Sequence, residues 1–350
     1  MITTHRFLLV FVFLFTLLHN SAHALVILQY HHIAHDTPFS TSTKPEVFAA
    51  HLEHLAQSGF TVVALSEHLS QHDEGDASGS ALEVAITFDD AYRSIFTEAF
   101  PLLRARGWPF TIFVATDLVG RPGGRYLSWE ELKAMKAEGA EIANHSTGHQ
   151  HWARKPVNTS LEAWSDEFLQ DTLRAQEILE TQLDFAPKHY ALPYGEYHPL
   201  LVDQLQAAGF MIFGQHSGAV SRPRPLVIPR FPMGGPYAGL ESFKTKVLTR
   251  AFPGVPKLHN PILTGLETKP MINTTALGLV NPSGLNCFGP NGAIMPAREH
   301  GSILIQATAP LQPGRARYNC TQMSDQSGRF YWHSYFWMKQ HSDNTWYAEP

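Results

Sequence analysis

Glu83–Asp90 reads EVAITFDD, and the fold turns on how that stretch is taken. Val84, Ile86 and Phe88 alternate with the apolar weight of a strand heading into a core. The strand ends in two adjacent carboxylates, Asp89 and Asp90, and Tyr92–Arg106 reads as a helix after them. In alternating β/α folds chemistry gathers at the carboxyl ends of the strands. Two acids delivered there either build a site or do something plainer, with Asp90 capping the helix and Asp89 merely solvated.

Upstream, Leu25–Ile33 (LVILQYHHI) is an apolar strand running into His31-His32, and Pro45–Ser58 carries apolar residues at helical spacing. Thr61–Leu65 reads as a short strand, Ser66–Gln71 as a short helix and Asp73–Ser80 as a polar loop. Downstream come a strand at Pro109–Thr116, a helix at Ser128–Glu138 opened by a Ser128/Glu131 capping box, and a strand at Glu141–Ser146. A long helix is expected over Leu161–Leu183, then a strand at His189–Tyr194 and a helix at Pro199–Ala208. Met211–Gln215 and Leu226–Phe231 read as two closing strands, with a last helix at Glu241–Arg250. Strands and helices that alternate this way imply parallel pairing with crossover helices, either as an open sheet or as a barrel. No GxGxxG or GxxxxGK[ST] follows any strand, which argues against dinucleotide and P-loop chemistry.

Past Pro253–Pro261 the composition shifts to Gly, Pro, Asn and short apolar runs, ending in the aromatic run Phe330–Trp337. We read a small antiparallel β-domain, sandwich-like, over residues 256–350. Phe330, Trp332, Ser334 and Phe336 would share one strand face, and Tyr331, His333, Tyr335 and Trp337 the other. A structural core is the expectation for these rings, with a sugar-stacking surface as the alternative. The only cysteines, Cys287 and Cys320, fall in this region, and an exported chain would pair them. Two free buried thiols are the alternative.

Residues 1–24 carry Arg6 as their sole charged side chain, an apolar run at Phe7–Leu18 and an Ala22-His23-Ala24 cleavage pattern. We read a cleaved signal peptide, with an uncleaved N-terminal anchor as the alternative, and the expectation is an exported protein, periplasmic or extracellular, with no membrane span after cleavage. The remaining chain has 25 basic and 31 acidic residues, a net of −6 with no basic run, which argues against nucleic acid as partner.

The chemistry concentrates in three places. His145 and His149 form an HxxxH pair just after a strand of the same alternating region that offers Asp89-Asp90. Two imidazoles and one carboxylate make the donor set of a catalytic zinc, which acidifies water and polarises a carbonyl. The second carboxylate is then free to act as general base.

TFDD, HSTGH and LPYG, in that order and at successive strand ends, resemble the polysaccharide deacetylases of carbohydrate esterase family 4 over roughly Leu25–Phe252. The resemblance implies a distorted (β/α) barrel over residues 25–252, followed here by the small all-β domain. It implies Asp89 as catalytic base, and Asp90, His145 and His149 as ligands of a divalent metal, zinc by preference. It also implies Tyr194 as backbone donor to the oxyanion, and an acetylated polysaccharide or oligosaccharide as substrate. Three departures stand out. The arginine that orients the base in RxPYG is replaced by Ala191, and Arg230 of IPRFP is the candidate to supply the guanidinium. The late Leu-x-x-His motif is not plain; Gln215-His216 could stand in. YHHI at the first strand is the better source of the general acid, as in exported poly-N-acetylglucosamine deacetylases, and it maps to His31. His32 is then a solvated or supporting neighbour. The family's acidic-aromatic fourth motif is absent. The expected function is hydrolysis of N-acetyl groups from N-acetylglucosamine units, with an O-acetyl glycan esterase or an inactive exported glycan-binding protein as alternatives.

Overall fold

Eight parallel strands run in the spatial order Val227–Ile228, Met211–Phe213, His189–Ala191, Ala140–Asn144, Phe110–Val114, Glu83–Asp89, Val26–Tyr30 and Phe231–Pro232, with Thr61–Val62 added beside Glu83–Asp89. This computed structural model describes residues 25–71, 82–279, 282–324 and 328–348; the leader assigned to residues 1–24 and the loop assigned to Asp73–Ser80 lie outside them.

The connectivity forces the sheet to curl. Val227–Ile228 and Phe231–Pro232 occupy opposite ends of the strand order, yet only Pro229 and Arg230 separate them in sequence. Such a link spans about 10 Å at full stretch, so the two edges must nearly meet. The result is a distorted barrel, as the sequence implied. Leu226–Phe231 is not one closing strand, however: the chain steps from one edge to the other at Pro229-Arg230.

Period-two alternation sorts the side chains into two layers. Val84, Ile86 and Phe88 face the helices together with Val26, Leu28, Ile112 and Ile142. Ala85, Ile27, Phe113, Ala143, Ala191 and Phe213 face the lumen. Asp89, odd-numbered like Ala85, therefore points inward while Phe88 anchors the strand outward.

The helices follow their local signals. Pro45–Gln57 starts with proline in its first turn, Trp129–Ala137 carries the complete Ser128/Glu131 capping box, and Leu161–Leu183 is capped by Ser160. Tyr92–Arg106 departs from expectation. It forms a π-turn at Ile95–Ala99 and only a short α-helix at Phe100–Arg104. Pro101 has no N–H for the carbonyl four residues back, and one widened turn relieves the clash of its ring with that carbonyl.

The C-terminal residues form a five-stranded sheet (Ile262–Leu263, Phe330–Lys339, Gly314–Met323, Asn286–Gly289, Gly292–Ile294) and a three-stranded one (Met271–Asn273, Ser302–Gln306, Ala297–Glu299) around a shared apolar core. Cys287 and Cys320 are bonded, but they sit directly opposite each other on adjacent strands of the larger sheet. The disulfide therefore ties neighbours within one sheet and does not hold two sheets together. Phe330–Lys339 is buried on both sides. Tyr335 and Trp337 enter the C-terminal core, whereas Phe336 and Met338 join the cluster of Trp164, Phe168, Tyr190 and Leu201 beneath the barrel helices. The aromatic run is thus a seam between the two regions and not a surface platform.

Candidate active site

Asp89 is the last residue of the central strand and is completely buried. Arg230 meets it with a two-pronged contact, Nη1 donating to Oδ1 (2.7 Å) and Nη2 to Oδ2 (2.8 Å). The guanidinium is itself fully buried, donates through Nε to the Gly214 carbonyl (2.9 Å) and lies 5.0 Å from the centre of the Phe113 ring. A planar fork on a carboxylate fixes orientation as well as charge. Gln29 of the neighbouring strand adds a bond from Nε2 to Oδ2 (2.5 Å). Burial alone would lift the Asp89 pKa, but the Arg230 guanidinium overrides it and holds the carboxyl below its usual range. Arg230 thus supplies a guanidinium to Asp89, while the Ala191 side chain is part of the lumen lining. Sequence reading missed Gln29; the available signal was a single amide inside an otherwise apolar strand.

Asp90 turns the other way because the backbone does. Asp90 and Ala91 have φ of 70° and 55°, left-handed values that non-glycine residues rarely adopt, and Ser146, His149 and Tyr194 share this feature. Such residues persist only where the surroundings over-determine them, and they gather at functional sites. The HSTGH turn is held from beneath. Asn144 Oδ1 accepts the Ser146 N–H, Ser146 Oγ accepts the His149 N–H, and the Thr147 hydroxyl donates to Asp171. Asp90 Oδ1 then lies 3.2 Å from His145 Nε2 and 3.1 Å from His149 Nε2.

This trio fits a cation. His145 donates through Nδ1 to the Ala191 carbonyl (2.7 Å), which leaves Nε2 as a lone pair. That lone pair faces a carboxylate oxygen in a buried setting, and neither atom has a hydrogen-bond partner. Two acceptors pressed together repel unless positive charge, a proton or a metal ion, stands between them. The ligand atoms of Asp90, His145 and His149 lie within 4.8 Å of one another, and the nitrogen-rich set suits zinc. Burial opposes charge on Asp90, but the His145 and His149 rings facing it hold its pKa well below the usual value.

His31 follows the Val26–Tyr30 strand and is half-buried. Burial pulls its pKa down, and the nearby carboxylates Asp90 and Asp89 push it back up, which places it in the field of both acids. His32 is not solvated. It is buried, stacked 3.5 Å from the Tyr92 ring, which stacks in turn on Tyr126 (5.3 Å). His32 and Tyr92 border a groove of about 940 Å³ that also takes in Arg93 and Arg125. His216 packs against His333 (5.5 Å) at the seam with the C-terminal sheet, which separates its ring from the Asp90 cluster in role. Tyr194 sits in a tight turn over Pro193–Gly195, its ring 4.4 Å from His149.

Residues 77–213 match the family model described as polysaccharide deacetylase. His31 and Arg230 lie outside that span. Over 230 residues the chain is 23% identical to the poly-β-1,6-N-acetyl-D-glucosamine N-deacetylase of Escherichia coli K12, covering 56% of this chain and 34% of that protein. It is 30% identical over 125 residues to YxkH of Bacillus subtilis, a putative polysaccharide deacetylase, covering 36% of this chain and 43% of the relative. The chain therefore spans about a third of the length of the Escherichia coli relative. Among solved structures it is similar to the Streptococcus pyogenes deacetylase PplD in complex with acetate (TM-score 0.57, 19% identity, 65% of this chain and 99% of that one). It is also similar to IcaB of Ammonifex degensii (TM-score 0.54, 28% identity, 64% and 95%).

Proposed function

We propose, from the match of residues 77–213 to the polysaccharide deacetylase family model, that the chain hydrolyses N-acetyl groups from N-acetylglucosamine units of a polysaccharide. The observation that carries this reading is the confrontation of the Asp90 and His145 lone pairs, which asks for a cation beside a locked second carboxylate. Asp90, His145 and His149 would hold a divalent ion, zinc by their donor chemistry, and its Lewis acidity would polarise the acetamide carbonyl and acidify water.

The chain's own groups do the rest. Asp89 is ionised and cannot rotate, and its Oδ1 accepts one of the described hydrogen bonds where Oδ2 accepts two. Oδ1 therefore offers the lone pair that takes a proton from the attacking water. His31 delivers a proton to the departing amine, and the neighbouring carboxylates Asp90 and Asp89 favour its protonated form. The Tyr194 N–H supports the oxyanion, a contribution worth about 3–4 kcal/mol for one such donor. Arg230 orients the base in place of the residue missing at Ala191. The leader-like residues 1–24 and the disulfide support an exported enzyme acting on extracellular or periplasmic glycan. Among the described residues no helix is long and apolar enough to cross a membrane.

The test is acetate release from poly-β-1,6-N-acetylglucosamine, chitin oligomers, peptidoglycan and acetylated xylan, with and without chelator. We expect chelator-sensitive release from an N-acetylated polymer. Asp89→Asn should lose about 10²–10⁴-fold in kcat while keeping its metal. Release from xylan alone would make it an O-acetyl esterase. Near-normal activity of Asp89→Asn with metal bound would overturn the assigned mechanism.

A further inference from the structure

Tyr194 is held in a left-handed conformation (φ 59°, ψ 2°), a strain that its surroundings must offset. Part of the restraint is local. Gly195 follows with φ 68°, and a Cβ there would lie 2.6 Å from the Gln215 side chain, so the turn is pressed against the barrel rim. The rest comes from far along the chain. His151 lies flat on the Tyr194 ring, 3.6 Å away with 12° between the planes. The His151 ring is fixed by Nδ1 on Glu196 Oε2 (3.0 Å), and Glu196 is a buried carboxylate. Arg154 grips it through Nε (3.0 Å) and Nη2 (2.6 Å), and the Tyr347 hydroxyl donates to Oε1 (3.0 Å). Arg154 also donates to the Tyr347 carbonyl (3.0 Å) and lies 4.3 Å over the Tyr347 ring. From the other side Arg315 of the Gly314–Met323 strand donates to the Tyr194 carbonyl (3.2 Å), with its guanidinium 5.6 Å from the ring centre.

We propose that the C-terminal region is a clasp on the active-site turn: Tyr347, acting through Glu196 and His151, and Arg315, acting directly, are positioning residues that hold Tyr194 in its strained conformation. The consequence for catalysis rests on the function proposed above, because it supposes that the Tyr194 N–H faces the reacting carbonyl. Neither residue touches the Asp90 trio, so the clasp sets geometry without altering the metal ligands. A buried carboxylate that gathers donors from His151, Arg154 and Tyr347 is a rigid node, since loss of any donor leaves its charge less compensated. A group misplaced by a fraction of an ångström at the reacting centre lowers turnover and leaves substrate affinity largely intact.

The experiment compares Tyr347→Phe, which removes one hydroxyl, and Arg315→Ala, an exposed position where folding is not at risk, with the wild-type full chain. Hydrogen exchange is followed in the peptide covering residues 192–197 and, as a reference, in the strand at residues 84–89. We expect exchange at 192–197 to accelerate about 3–10-fold in each variant, with 84–89 unchanged. On the glycan that the wild type deacetylates best, kcat should fall about 3–10-fold at unchanged KM and bound metal, and in Arg315→Ala at unchanged melting temperature. Unchanged exchange at 192–197 in both variants overturns the clasp, as does a kcat loss matched by a fall in melting temperature and faster exchange everywhere. If the wild type releases no acetate from any glycan while exchange at 192–197 still accelerates, the deacetylase reading has failed and the clasp stands.

Discussion

The curled parallel sheet and the C-terminal antiparallel sheets both bury polar groups, and they do so for different ends. In the barrel lumen the buried charges come as opposed sets: Asp89 with Arg230, and Asp90 with two imidazoles. In the C-terminal region the buried cation Lys339 is satisfied by the carbonyls of Thr264, Gly265 and Gln340, and the buried His333 packs against other rings. Charge answered by charge leaves lone pairs pointed at a common spot, which is the raw material of a site. Charge answered by backbone carbonyls simply ties strands together. The difference teaches where to look for chemistry: not at buried polarity as such, but where it is left incompletely quenched, as at Asp90 Oδ1 and His145 Nε2.

Removing one half of the barrel's opposed pair should have the largest effect on stability. Arg230→Met leaves Asp89 buried without its guanidinium and should cost roughly 3–5 kcal/mol, read from chemical denaturation. A loss under 1 kcal/mol would mean that Asp89 is not an ionised partner. Next is the C-terminal tie. Replacing both Cys287 and Cys320 by serine releases a cross-link with a sequence separation of 33 and should cost about 3–4 kcal/mol. Hydrogen exchange should locate that loss in the Asn286–Gly289 and Gly314–Met323 strands and spare Glu83–Asp89; equal deprotection of both would erase the contrast between the regions.

A smaller effect is set by pH. Burial holds the His333 pKa at about 3, against about 6.5 in an unfolded chain. Between these values the unfolded chain binds more protons, so the contribution of neutral His333 is complete above pH 6.5 and is lost as pH falls towards 3. At pH 5 this amounts to about 2 kcal/mol. His333→Gln should flatten the fall in melting temperature between pH 6.5 and 5, whereas an unchanged slope would show His333 to be solvated. The smallest expected change is local to the barrel. Ser128→Ala breaks the capping box of Trp129–Ala137 and should cost about 1 kcal/mol, without affecting metal content or turnover.

Much of the site was legible because its signals are short-range. A carboxylate pair closing an alternating strand, an HxxxH pair after the next-but-one strand and a PYG turn are each contained within a few residues. The same holds for the Leu161–Leu183 helix, whose bounds in the structure are those the apolar spacing gave, and for the Ser128 cap. Proline misled the reading once, at Pro101, where a π-turn replaced the start of a continuous helix. For His32 the solvated alternative fell and the supporting one stands, because alternation tells which of two neighbours faces inward but not what the other one will meet, here the Tyr92 ring.

By itself, then, the sequence determined the alternating architecture and put two imidazoles and a carboxylate pair at neighbouring strand ends; the choice of Asp90 over Asp89 as ligand came from the family resemblance, and the two cysteines left a disulfide or free thiols. The first two follow from periodicity and from the residue types at strand ends. Tertiary structure alone decided that Arg230 grips Asp89 across 141 residues of chain, that Gln29 joins it, and that Tyr347 and Arg315 reach the Tyr194 turn. The physical reason is closure. A guanidinium and a carboxylate attract in any arrangement, but only the step of the chain across Pro229-Arg230, from one edge of the curled sheet to the other, brings this pair together in a dry lumen. Nothing in the local pattern of IPRFP encodes how far the sheet has turned by the time it gets there.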